Sequence, residues 1–246
     1  MLAVRAAIAP AGSERPPLLL VHGAANSSAV WTYWQQALAE HGWSSWALDL
    51  RGHGASAPLD LSRTTMQDYA DDVQAVARDL ARPPIVVGWS MGGLLAIMAA
   101  AGGLGRACVA LAPSTPAERR DSGAPLRPGT FGPEEYGIMS QDPRDQPKME
   151  DLDIEERVVA LASLGLESRL ARDERKAGIV IDALPCPMLV VTGEADRDWP
   201  RSRYAGMRLV ADWLEVAEAS HWGLVLNRRA LHTLVPSVLT WLSLRL

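Results

Sequence analysis

The chain has 246 residues, a hydrophobic share of 48%, a charged share of 22% and a formal net charge of −5. That length suits one large α/β domain able to bury a core without staples, and the mild acidity disfavours nucleic acid and anionic membranes as partners. Cys108 and Cys186 are too few for a disulfide framework and read as two small buried hydrophobes of a reducing compartment.

The first ten residues make a poor secretory signal, because Arg5 interrupts an apolar stretch that is already short. No run is long enough to span a bilayer. The expectation is a cytoplasmic protein with no membrane partner. Residues 17–21 then read as an apolar strand. A helix over 29–40 follows, with Trp31, Trp34, Ala37 and Leu38 on one side. Residues 46–48 read as a strand. Met66, Tyr69, Ala70, Val73, Val76, Ala77 and Leu80 recur at helical spacing, and Thr65 with Asp68 resembles a capping box at the start of that helix. Residues 84–87 are a buried strand, 94–101 a strong helix former and 107–111 another strand, ended by Pro113.

From 114 to about 150 the pattern breaks under Pro116, Pro125, Pro128, Pro133, Pro143 and Pro147, with glycines between them. Two helical segments follow, about 152–164 and 167–177. Alternation resumes with a strand at 188–191, a helix near 201–210, a strand at 214–216 and a final helix from about 228. Pro236 should kink that last helix. Strands alternating with helices predict an α/β fold, a mostly parallel sheet with helices on both faces. The core is read as 1–113 and 183–246. Residues 114–182 are read as a short cap insertion over the carboxyl ends of the strands, where open α/β sheets bind ligands.

Gly88-Trp89-Ser90-Met91-Gly92 fits G-x-S-x-G between a predicted strand and a predicted helix. A sharp turn there lifts the serine Oγ out of the backbone, and a Cβ at 88 or 92 would crowd it. A serine hydroxyl needs a base. His221, in the loop after the strand at 214–216, is the best of five histidines. His41 and His232 read as solvated or packed, and His22 and His53 as parts of turns. A carboxylate that fixes the tautomer completes the set. Asp196 is chosen for it, in the turn after 188–191, over the rival Asp198 and over Glu194. His22-Gly23-Ala24-Ala25 can aim the Ala24 N–H at the same point as the N–H of Met91, where a helix dipole adds to the field. One such oxyanion donor is worth about 3 kcal/mol of barrier. Trp89, Trp222 and Ala25 are read as lining a substrate pocket, with Trp199 nearby. The tryptophans fit a core equally well.

In the order Ser, Asp, His, these motifs resemble the α/β-hydrolase superfamily, serine esterase type, over nearly the whole chain. The carriers are Val21-His22-Gly23-Ala24, Asp49-Leu50-Arg51-Gly52-His53-Gly54, Gly88 to Gly93, Gly193-Glu194-Ala195-Asp196 and Ser220-His221-Trp222-Gly223. The resemblance implies the α/β-hydrolase fold, a catalytic Ser90, Asp196 and His221, and oxyanion donors at Ala24 and Met91. It also implies a structural turn at 49–54, which leaves Arg51 and His53 without a catalytic role. Its chemistry is ester cleavage through an acyl-enzyme, on a small-molecule substrate, with no metal or cofactor.

The Gly-Trp-Ser spacing is also similar to esterases of pimeloyl-carrier-protein methyl ester, whose cap carries basic residues for an acidic partner. Arg157, Arg169, Arg172 and Arg175 could take that part. Glu155, Glu156, Glu167, Asp173 and Glu174 are interleaved with them, so the segment reads as a solvated helical face and a carrier-protein partner is not expected. Epoxide and haloalkane hydrolases place an aspartate where Ser90 stands. Carbon–carbon bond hydrolysis, lactonase, thioesterase and perhydrolase chemistry keep the serine and remain open, as does a small-molecule receptor with vestigial hydrolysis.

Overall fold

Apolar runs of four or five residues are too short to be helices, and here they pair edge to edge. The computed structural model describes residues 1–9 and 15–246. Its main sheet has seven strands: β1 (Ala3–Ala7), β2 (Leu18–Val21), β3 (Ser45–Asp49), β4 (Ile85–Trp89), β5 (Ala107–Leu111), β8 (Met188–Gly193) and β9 (Asp212–Val216). Between β5 and β8 the two-residue strands β6 (Thr130–Phe131) and β7 (Glu167–Ser168) form a separate ribbon. The main sheet runs β1-β3-β2-β4-β5-β8-β9, with β1 antiparallel to β3 and every other pair parallel.

Successive side chains of each strand face opposite ways. Leu18, Leu20, Ile85, Val87 and Val109 pack on one side with Trp34 and Leu38 of α1 (Thr32–Glu40), and with Leu231, Leu234 and Val238 of α7 (Arg228–Arg245). Leu19, Val21, Val86, Cys108 and Val190 pack on the other side. Their partners there are Tyr69 and Val73 of α2 (Met66–Asp79) and Leu94, Ala96 and Ile97 of α3 (Met91–Ala101). The capping box of α2 has both halves, Thr65 Oγ1 accepting from the Asp68 N–H and Asp68 accepting from the Thr65 N–H. No helix among the described residues is long and apolar enough to cross a membrane.

The segment between β5 and β8 carries α4 (Ile154–Ala162) and α5 (Arg169–Ala177), somewhat shorter than their sequence spacing predicts. Short α6 (Gly223–Leu226) precedes α7, which runs past Pro236 to Arg245.

Several expectations need correction. The helix expected near 201–210 is one turn of 3-10 helix, Arg201–Tyr204. Gly206 stands where a second turn would begin, a poor helix position. The helix expected from residue 29 starts with a 3-10 turn and becomes α-helical only at Thr32. The amino-terminal run is edge strand β1, mostly exposed and so without a burial pattern to read. Its Arg5 hydrogen-bonds Gln35 Oε1 (2.8 Å) and the Ser28 carbonyl (3.0 Å). Cys186 lies before β8 and is only half-buried, whereas Cys108 is fully buried in β5.

Candidate active site

All the residues singled out for chemistry stand at the carboxyl ends of parallel strands, or one short loop beyond. Ser90 joins β4 to α3 with φ 58° and ψ −117°. A non-glycine residue held there stores about 1–3 kcal/mol of strain. The Ser90 N–H donates to the Leu111 carbonyl (2.9 Å), and its own carbonyl accepts from the Ser114 N–H (3.0 Å). A Cβ on Gly88 would strike the Gly92 carbonyl, and one on Gly92 the Val21 carbonyl, so both positions need glycine. Gly23 lies so near the turn that a Cβ there would come within 3.2 Å of Ser90 Cβ.

His221 Nδ1 lies 2.7 Å from Asp196 Oδ2. A carboxylate only accepts, so Nδ1 carries a proton and donates it to Asp196. The loop is steadied by Trp89, whose Nε1–H donates to the His221 carbonyl at 3.0 Å. Asp196 is buried, and its Oδ1 accepts from the N–H groups of Asp198 (2.9 Å) and Trp199 (2.8 Å). Burial alone would raise its pKa, but the His221 hydrogen bond and these N–H groups together hold it below the usual range. Of its two rivals, Asp198 pairs with Lys148 at 3.0 Å and is half-exposed. Glu194, also exposed, accepts from the Glu218 N–H at 3.1 Å. Neither hydrogen-bonds the ring.

Ser90, His221, Ala24, Ala25, Trp89, Trp222 and Trp199 all line one cavity of about 480 Å³. No hydrogen bond joins the Ser90 hydroxyl to His221 among the described residues; contacts of this kind commonly close on substrate. A larger cleft of about 990 Å³ between β9 and α7 contains none of these residues. Met91 opens α3, where N–H groups have no partner inside the helix. Ala24 precedes Ala25, which has φ 55°.

The turn at 49–54 is tied into the fold by side-chain contacts. Asp49 accepts from the Ser28 N–H (2.6 Å) and the Ala55 N–H (2.9 Å), and Arg51 grips Asp72 and Asp68 of α2. His22 Nε2 accepts from the Leu50 N–H (3.2 Å), so its Nδ1 donates to the Gly23 carbonyl (2.8 Å). That neutral ring fits a pKa lowered to about 4 by burial and by neighbouring His53.

What the sequence did not disclose comes from the segment between β5 and β8. Its acids and arginines are not a solvated helical face. Glu156, Glu167 and Asp173 are buried. Asp173 takes Arg127, and Glu156 takes Arg228. Glu167 Oε2 accepts from the Ala25 N–H (3.0 Å) and sits 3.6 Å from His53 Nε2, while its Oε1 accepts from Tyr69 OH at 2.6 Å. The Gly165 N–H donates to the Ala25 carbonyl (2.9 Å), and the Ser163 hydroxyl to Asn26 Oδ1 (2.7 Å). The loop 24–26 is therefore clamped from 163–167. Burial would raise the Glu167 pKa, but His53 and Tyr69 outweigh it and draw it down to about 2. Asp151 of the same segment accepts from the Ser220 N–H (3.0 Å) and so holds the histidine loop. No spacing in the sequence marks Glu167 or Asp151, because both act across the fold.

Comparison with known proteins adds a second line. The model of the alpha/beta hydrolase family matches residues 18–232. Over 98 residues the chain is 41% identical to protein phosphatase methylesterase 1 of Mus musculus, covering 38% of this chain and 25% of that enzyme. Over 86 residues it is 37% identical to pimeloyl-[acyl-carrier protein] methyl ester esterase of Nitrosospira multiformis, covering 34% and 32%. The chain thus spans about a quarter to a third of the length of these curated relatives. An esterase from Thermogutta terrifontis superposes with a TM-score of 0.70 at 21% identity, over 97% of this chain and 93% of that one. Polyneuridine aldehyde esterase does so with 0.70 at 15% identity, over 92% and 99%. At such identities these structures speak for the fold.

Proposed function

The chain belongs to the alpha/beta hydrolase family, and from that premise we propose that it is a serine hydrolase that cleaves a carboxylic ester. The observation that carries this reading is the buried Asp196 on Nδ1 of His221, a ring that lines the same cavity as the strained Ser90. Ser90 Oγ attacks the ester carbonyl while His221 Nε2 takes its proton. The tetrahedral oxyanion rests on the N–H groups of Ala24 and Met91. His221 returns the proton to the leaving alcohol, and water, activated by the same ring, releases the acid from Ser90. Asp196 holds the ring and balances the imidazolium. Residues 114–182 act as a cap that walls the cavity and braces loops 24–26 and 219–223.

Both curated relatives are named for methyl esters, so methyl esters are the first substrates to try. The direct test is hydrolysis of p-nitrophenyl acetate and of a methyl ester by wild type and Ser90→Ala. The variant is expected to lose about 10⁴-fold or more in kcat/KM with its fold intact. Equal turnover by the two proteins would end this reading.

A further inference from the structure

One cation on the wall of the cavity has no carboxylate in ion-pair contact among the described residues. Arg175, on α5, lines the cavity together with Ser90. Its Nη1 donates to Ser114 Oγ (3.3 Å) and its Nη2 to Tyr136 OH (3.2 Å). Its Nε is shut off from solvent and has no hydrogen-bond partner. Glu167 acts on it only through space. The acids of the same wall are taken. Glu135 accepts from both Arg169 and Arg172, and Asp198 from Lys148. A partly buried guanidinium with no carboxylate in contact gains when an anion joins it.

The partners of Arg175 define what that anion is. Ser114 Oγ and Tyr136 OH both accept from the guanidinium, which leaves their own hydrogens free to donate. A planar guanidinium beside the hydroxyl of Tyr136, which lines the cavity with it, suits a carboxylate. Ser114 also donates its N–H to the Ser90 carbonyl (3.0 Å), so a single residue bridges the cation and the nucleophile's backbone. Arg175 and Ser90 line the same cavity of about 480 Å³, so one short substrate can reach both. We propose that Arg175 anchors a carboxylate on the substrate, which makes half-esters of short dicarboxylic acids the preferred class. This rests on the serine hydrolase reading above.

The test compares monomethyl succinate and monomethyl glutarate with their dimethyl counterparts on wild type, Arg175→Gln and Arg175→Lys, with circular dichroism as the check of folding. Wild type is expected to favour the half-ester by about tenfold or more in kcat/KM. Arg175→Gln should abolish that ratio, and Arg175→Lys should keep part of it. A parallel arm measures binding of the same compounds to Ser90→Ala by tryptophan fluorescence, using Trp89, Trp199 and Trp222 of the cavity wall. There the half-ester should bind about tenfold tighter, and Arg175→Gln added to Ser90→Ala should erase the difference. Equal use of half-esters and diesters by wild type, or a preference that survives Arg175→Gln, would overturn the role of Arg175. Turnover that ignores Ser90 would overturn the hydrolase reading instead, while the binding arm still decides the question of Arg175.

Discussion

The sheet from β2 to β9 is held by apolar side chains that exclude water, whereas the segment between β5 and β8 is fastened to it in good part by charge. Leu18, Leu20, Val87 and Val109 are fully buried among hydrophobes. The anchors of the intervening segment are Arg228 on Asp153 and Glu156, and Glu167 beneath the loop at Ala25, while Arg127 on Asp173 ties the segment to itself. The candidate site lies on the seam. Ser90, the proposed nucleophile, stands on the apolar half, and two loops of the site are braced from the charged half. Apolar burial responds little to pH, while ionised anchors titrate. The two halves should therefore fail differently.

The largest effect sharpening this contrast is expected on the sheet side. Asp196→Asn keeps the shape but loses the charge that fixes the His221 tautomer. Hydrolysis should fall by about 10³–10⁴-fold while the melting temperature moves little. A smaller loss, about 10–100-fold in kcat, is expected from Glu167→Ala, which frees the Ala25 N–H and the loop that carries the Ala24 donor. Because Glu167 is buried, thermal melts of that variant should also show a clear loss of stability.

The difference between the halves tracks how they could be read from residues alone. Strands such as 85–89 and helix 66–79 announce themselves through unbroken apolar runs or helical spacing, since water exclusion leaves a periodic trace. The placement of Ser90, Asp196 and His221 in loops that follow β4, β8 and β9 was legible because those strands were. Glu167 and Arg175 were not. They sit in a run of alternating charges that resembles a solvated helix, and only tertiary contact shows which charges turn inward. Edge strand β1 escaped notice for the opposite reason, as its exposed residues carry no burial pattern.

A subtler effect appears on titration. Glu167 is drawn from an ordinary 4.5 down to about 2. His53 is raised above its ordinary 6.5, because Glu167 outweighs burial. The lowered carboxylate stabilises the fold above pH 4.5 and loses that contribution as pH falls towards 2. The raised histidine contributes fully below pH 6.5 and loses its share as pH climbs through its folded value. Thermal melts across pH should show the advantage of wild type over Glu167→Gln greatest between pH 4.5 and 6.5, shrinking on both sides. A constant gap would mean that the pair does not titrate as a clamp.

The smallest effect belongs to the rival acid. Asp198 is half-exposed and tied to Lys148, so Asp198→Ala should change kcat/KM by no more than about threefold. A loss matching that of Asp196→Asn would move the acid of the triad to the neighbouring position.

The central claim is that Ser90 becomes acylated with the help of His221. Labelling with a fluorophosphonate, read by mass spectrometry of the digested protein, tests it most directly. The account predicts one adduct, on the peptide that contains Ser90, strongly slowed in His221→Ala and missing from Ser90→Ala. An adduct on another residue, or labelling at an unchanged rate without His221, would contradict it.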